Sequence, residues 1–246
     1  MIRNAVFGLV GAIALISSSN AADLSLPGGS YKDGPGYDWT FLYGGVHVGG
    51  AWANFATVDV DGYVAPGLKT SINSNGVFGG AQVGKNFQRG QVVFGLEGDV
   101  GGLDLAAKKS IGGDANAELD AGVYADVTGR LGYLFAPNIL AYAKGGFAVY
   151  GGTFSVDTAS YGASTQSNTF IGWTAGGGLE YAVHPNWTIK AEYQYFDFGG
   201  QAVGLNNAAQ TLNGGDGYRF NAKDLTANAL SVGLNYRFSP ASEPLK

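Results

Sequence analysis

Ionisable side chains are scarce in this chain. Asp, Glu, Lys and Arg make up 13% of its 246 residues, about half of the roughly 25% of an ordinary globular domain. There is no Cys and there are only two His, which excludes a disulfide framework, a thiolate metal site and a lipoprotein anchor. His184 falls in the turn His184-Pro185-Asn186. His47 lies in an extended segment and is a candidate haem or metal ligand, although a lone His in such a place is more often structural. No His-Glu-x-x-His, Gly-x-Ser-x-Gly or phosphate-loop pattern is present. The glycine pairs (Gly44-Gly45, Gly79-Gly80, Gly145-Gly146) lack the strand–loop–helix setting of a nucleotide loop. Asp59, Asp61, Asp216 and Asp224 do not have the spacing of a calcium loop. The expectation is a protein that is not an enzyme and carries no cofactor.

What chemistry there is belongs to charges that alternate with apolar residues. Glu97, Asp99, Asp126, Arg130, Lys144, Glu180, Lys190, Glu192 and Arg237 each occupy the polar face of a period-2 segment, five acidic against four basic. Counted from the nearest tight turn, Glu97, Arg130, Lys144 and Glu192 lie at similar heights. An unpaired buried charge is expensive, so opposite charges gathered inside one structure should pair. Three readings stay open: a packed polar core, a narrow ion pathway, and a salt-bridged plug that opens on occasion.

The elements that hold these charges are strands. In 230–238, Leu230, Val232, Leu234, Tyr236 and Phe238 share one face, while Ser231, Gly233, Asn235 and Arg237 share the other. That is a β-strand with an apolar and a polar side. Its apolar side ends in two aromatics, as a lipid-facing strand does at the membrane boundary. The pattern recurs at about 39–52, 77–88, 92–104, 120–135, 139–155, 169–183, 187–198 and 225–238. Short turns at 88–91, 136–138 and 184–186 alternate with long polar connections at 53–76, 105–119, 156–168 and 199–224. The expected fold is all-β, an eight-stranded antiparallel up-and-down transmembrane β-barrel. Its short turns and both termini would be periplasmic and its long loops outside. A lipocalin-like soluble barrel, with the apolar face inward, is the alternative; the aromatic ends of the outer face weigh against it.

The N-terminus fits export. Arg3 precedes a short apolar run, 5–16, and small residues at Ser19 and Ala21 predict a secretory signal peptide over 1–21, cleaved after Ala21. The run is too short to span a bilayer as a helix. Residues 22–38 read as a periplasmic lead-in, 39–238 as the barrel and 239–246 as a short periplasmic tail. High Gly (42 residues) and 13% aromatics suit curved strands and interfacial girdles. The formal net charge of −5 disfavours nucleic acid as a partner.

Several stretches resemble a known group. Trp39-Thr40-Phe41-Leu42-Tyr43-Gly44-Gly45, Gly79 through Phe87, Phe94-Gly95-Leu96-Glu97-Gly98-Asp99, Trp187 through Tyr193 and the ending Tyr236-Arg237-Phe238 occur in the order seen in the small outer-membrane β-barrel surface antigens and porins of alphaproteobacteria. The resemblance spans roughly 39–238. It implies an OmpA-like transmembrane β-barrel in the outer membrane of a Gram-negative bacterium, with outer-membrane lipid as its surroundings. It also implies that the barrel-insertion machinery reads the terminal strand at Tyr236 and Phe238, although here the chain continues to Lys246. The leading expectation is a structural and surface-antigen role, in which four extracellular loops are anchored and the envelope is stabilised, with host or extracellular ligands as partners. The alternatives are a porin-like channel for small solutes or ions, and haemin binding by the loop aromatics Tyr63, Tyr161 and Tyr218.

Overall fold

The computed structural model describes residues 37–60, 62, 64–112, 115–158, 162–205 and 218–238. Its strands are β1 (Leu42–Asp59), β2 (Lys69–Arg89), β3 (Val92–Leu103), β4 (Ala107–Gly112), β5 (Ala115–Leu119), β6 (Gly122–Ala136), β7 (Ile139–Thr158), β8 (Gly162–His184), β9 (Trp187–Asp197), β10 (Gln201–Leu205) and β11 (Tyr218–Arg237). Eight of them close a ring in the order β1-β2-β3-β6-β7-β8-β9-β11 and back to β1. Each neighbouring pair is antiparallel. Closure leaves no sheet edge within the ring, which lets strands cross hydrocarbon with their backbone groups satisfied.

Alternation decides which way each side chain points. Along β9, Trp187, Ile189 and Tyr193 face outward while Thr188, Lys190, Glu192 and Gln194 are buried inside. Along β6, Val123, Val127, Leu131, Tyr133 and Phe135 are outward, and Asp126, Thr128 and Arg130 are inward. The outer face carries aromatics at two levels. Near the short turns Trp187 packs on Tyr236 with centroids 4.9 Å apart, Tyr236 on Phe238 at 5.5 Å, and Phe87 on Phe94 at 5.6 Å. Toward the long connections Trp173 packs on Tyr195 at 5.4 Å and Trp52 on Tyr193 at 6.5 Å. About ten residues of β1 separate Leu42 from Trp52. At roughly 3.4 Å per residue and a tilt of about 40° they rise about 26 Å, close to the apolar band of a membrane barrel.

The strands run further than the sequence suggests. Most of 53–76, read as a loop, is the paired outer end of β1 and β2, whose ladder continues to Val58 opposite Lys69. The remaining turn is held by Asp59, whose carboxylate accepts from the amides of Gly62, Val64 and Ala65. Likewise 105–119 contains the β4/β5 hairpin, and β5 extends the sheet along β7. β10 pairs with the outer part of β11. The reason lies in the outer face. Above the hydrocarbon it need not be apolar, so Ser71, Asn73 and Asn75 give the segment a loop-like composition while Ile72 and Ser74 stay buried.

Candidate functional site

The interior is layered. At its middle Glu97 meets three cations: Lys144 Nζ is 3.0 Å from Oε1, Lys190 Nζ 3.5 Å from Oε1 and Arg130 Nη1 3.6 Å from Oε2. Glu192 takes Lys144 at 2.9 Å and Lys190 at 3.5 Å. Glu180 takes Arg130 Nη2 at 2.6 Å. Hydroxyls and amides complete the carboxylates. Tyr43 donates to Glu97 at 2.7 Å, Tyr142 to Glu192 at 2.6 Å, Thr188 to Glu180 at 2.5 Å and Asn235 to Glu180 at 2.9 Å. The Arg130 guanidinium also lies 4.0 Å from the centroid of the Tyr142 ring, a cation–π contact between two buried side chains. Three carboxylates and three cations thus form one neutral, hydrogen-bonded group.

The backbone register makes this group non-local. Arg130 stands directly opposite Lys144 on the next strand, a pairing that repels by itself. Their acidic partners come from β3, β8 and β9: Glu97 lies diagonally from Arg130 on the adjacent β3, while Glu180 and Glu192 are reached through the lumen. Two glycines leave room. A Cβ at Gly84 would collide with the Tyr43 ring, and one at Gly233 would press on the Lys190 stem, 3.0 Å from Cε. Tyr43 therefore lies flat across β2 with its hydroxyl between Glu97 and Arg130, accepting from Arg130 Nη1 at 2.8 Å.

A second polar layer lies on the long-connection side. His47 Nδ1 is 2.8 Å from Gln82 Oε1 and Nε2 is 2.8 Å from the Tyr124 hydroxyl, which also bonds Asp99. Asp126 accepts from Gln194 at 2.9 Å. Asp99 and Asp126 are direct cross-strand partners. His47 is buried with both ring nitrogens engaged, so it is not placed to ligate haem at the surface.

Both ends of the interior are apolar, which alternation of charges alone does not reveal. On the long-connection side Phe78 stacks on Tyr124 (5.0 Å) and packs near Phe196 (6.0 Å), and Phe196 stacks on Phe198 (5.5 Å). Phe55, Ile72, Leu103 and Leu225 fill the same layer. On the short-turn side Trp39, Phe41, Tyr43 and Tyr142 close the mouth with Leu134 and Leu140. Trp39 donates from Nε1 to the Pro137 carbonyl at 3.0 Å. Arg237 belongs to this mouth and not to the ionic group. Its guanidinium lies 5.0 Å from the Phe41 ring centroid and donates to the Asp38 carbonyl at 3.1 Å. As the last inward position of β11, it sits beyond the reach of Glu97. Tyr236 and Phe238 face outward. Ala21, Tyr63, Tyr161 and the tail 239–246 lie outside the described residues. The inward aromatics were legible in principle, since Phe196 and Phe198 continue the polar parity of β9, and Phe78 that of β2.

A closed ring of eight antiparallel strands with lipid-facing apolar residues, two aromatic belts and an ionic interior defines a membrane β-barrel. Residues 9–238 match the outer membrane protein beta-barrel domain family, and the chain belongs to it. It is 31% identical over 214 residues to the 31 kDa outer-membrane immunogenic protein of Brucella melitensis biotype 1, covering 82% of this chain and 85% of that one. It is 32% identical over 193 residues to the 25 kDa outer-membrane immunogenic protein of Brucella abortus biovar 1, covering 76% and 81%. Among solved structures it is similar in fold to the outer membrane protein OprG of Pseudomonas aeruginosa, with a TM-score of 0.51 and 11% identity over 82% of this chain and 100% of that one. The protein is an outer-membrane β-barrel related to alphaproteobacterial surface antigens.

Proposed function

We propose that the barrel is a non-catalytic surface antigen and envelope protein. It would hold four extracellular loops on a rigid frame, with short turns and both termini in the periplasm. The observation that carries this reading is the interior: a neutral group of three carboxylates and three cations, enclosed between two apolar layers. Such a lumen is a packed core, as the width of an eight-stranded barrel allows. Its long outer strands and hairpins then present the outer connections on that rigid frame. The relatives named as immunogenic outer-membrane proteins support the same role for this chain. The insertion machinery is proposed to read the outward Tyr236 and Phe238 of the last strand, and a signal peptide over 1–21 to bring the chain to it.

The test is to replace 201–223 with a short Gly/Ser linker. The shortened protein should still migrate as a folded barrel on unheated gels and lose reactivity only toward antibodies against intact cells. Collapse of the barrel would overturn the reading. Reproducible discrete channels from the refolded protein in a planar bilayer would favour a porin instead, because ions would then have to pass both apolar layers.

A further inference from the structure

The ionic group is electrically balanced, but the polar layer beside it is not. Among the described residues, and apart from Asp59 in the outer turn, five carboxylates are buried inside the barrel against three cations from Lys and Arg. Glu97, Glu180 and Glu192 are matched by Arg130, Lys144 and Lys190. Asp99 and Asp126 remain, with His47 as the basic group of their layer. Two bare carboxylates opposite one another in a sealed interior are costly.

The hydrogen bonds count the protons. Glu180 accepts from Arg130 and Thr188, so it is an acceptor toward Asn235, whose Nδ2 donates to it. Asn235 Oδ1 therefore accepts from Gln82 Nε2 at 2.7 Å. This turns Gln82 Oε1 toward His47, and Nδ1 of His47 must carry a hydrogen to bond it at 2.8 Å. On the other side of the ring, Nε2 and Asp99 Oδ1 both bond the single Tyr124 hydroxyl. A line of three atoms joined by two hydrogen bonds needs two protons, and the Tyr124 hydroxyl supplies one. If Tyr124 donates to Asp99, then Nε2 must be protonated. If Tyr124 donates to His47, then Asp99 must be protonated.

We infer that Asp99, Tyr124 and His47 form a buried proton-binding site that holds one proton more than a neutral imidazole and an ionised carboxylate would. The geometry fits retention. His47 lies 4.9 Å, centroid to centroid, from Phe78, which stacks on Tyr124, so the site is roofed by the outer apolar layer. His47 Nδ1 is also 3.4 Å from Asp99 Oδ2, which ties the two ends of the line together. The charged groups around it are Glu97 on β3, Lys144 on β7, Lys190 and Glu192 on β9, and Asp126 on β6 directly opposite Asp99. Gln82 on β2 and Asn235 on β11 add their amides, and β8 adds the hydroxyl of Thr174 and, through Asn235, the carboxylate of Glu180. The two lysines are already shared between Glu97 and Glu192, so the extra proton is the remaining compensation for Asp99. Its loss would leave the Asp99 carboxylate uncompensated in the layer whose His47 and Tyr124 rings pack on Phe78.

The test uses the whole refolded chain, labelled with ¹⁵N in His and ¹³C in Asp side chains, at neutral pH. His184, the only other His, is exposed and gives the one other imidazole signal. The expected result is imidazolium at His47 beside an ionised Asp99, a neutral Nδ1–H imidazole beside a protonated Asp99, or an exchanging average of these two. A neutral imidazole beside an ionised carboxylate overturns the inference, as does imidazolium beside a protonated carboxyl. In Asp99→Asn the amide donates to Tyr124 in place of the carboxyl, so His47 should be neutral and the bound proton lost. An imidazolium that persists in that variant would show that Asp99 does not hold it. If the variant fails to fold, the wild-type signals still decide.

Discussion

Arg130 on β6 and Glu180 on β8 meet at 2.6 Å although the whole of β7 lies between their strands. The pair is a strut through the lumen rather than a contact along the sheet. Glu97 on β3 and Lys190 on β9 form a second one at 3.5 Å. The ring is therefore braced across its interior as well as around its wall.

Breaking such a strut from one side leaves a buried charge without its partner. Arg130→Ala should destabilise the barrel by about 3–5 kcal/mol, read as a shift of the urea midpoint for unfolding from lipid vesicles. The double variant Arg130→Met with Glu180→Gln should recover much of that loss, because neither charge is then stranded. Equal stability of the single variant and the wild type would show that the pair is not desolvated.

The outer apolar layer should carry comparable weight. Phe196 is fully buried between Phe78 and Phe198, and Phe196→Ala should cost about 3–5 kcal/mol. If the layer also seals the lumen, this variant should leak small ions in a planar bilayer more readily than the wild type. Unchanged stability and silent bilayers together would argue that the layer is loosely packed.

Room for Tyr43 depends on Gly84. Gly84→Val should force the ring off β2 and away from Glu97 and Arg130, with an overpacking cost of about 1–3 kcal/mol. Tyr43→Phe keeps the ring but leaves Glu97 without its 2.7 Å donor, a loss of about 1.5–3 kcal/mol for a bond to a charged group. Equilibrium unfolding of the two variants separates the steric effect from the polar one.

The four tryptophans report on the faces. Trp39 is fully buried in the short-turn mouth, while Trp52, Trp173 and Trp187 face outward. In single-Trp variants, brominated lipids should quench the last three strongly and Trp39 weakly. Strong quenching of Trp39 would mean that the mouth opens to lipid.

A change at the terminal strand should act on assembly more than on the finished barrel. Phe238 is outward at the end of β11 and packs on Tyr236 at 5.5 Å. Phe238→Ser should slow insertion in cells, while refolding from urea into detergent proceeds with little change. Equal slowing in both settings would place its role in packing.

Period-2 alternation by itself determined the eight strands of the ring, their inward and outward faces and the inward charges from Glu97 to Arg237. It did so because a strand facing lipid on one side must show that difference at every second residue. The resemblance to outer-membrane surface antigens was likewise legible in short motifs such as Phe94 through Asp99. Where the strands end was not legible, because above the membrane Ser71, Asn73 and Asn75 read as loop residues although their backbone is paired. Alternation also could not tell which inward charges meet. Arg130 stands beside Lys144 in the sheet, yet it meets Glu97 diagonally across the adjacent β3 and Glu180 through the lumen, past β7. Arg237, inward by the same parity, ends at the mouth against Phe41, since its height along β11 rather than its face decides its neighbours. The two apolar layers and the Asp99/Tyr124/His47 line each span more than seventy positions of the chain, and the curvature of the barrel turns their side chains toward one another.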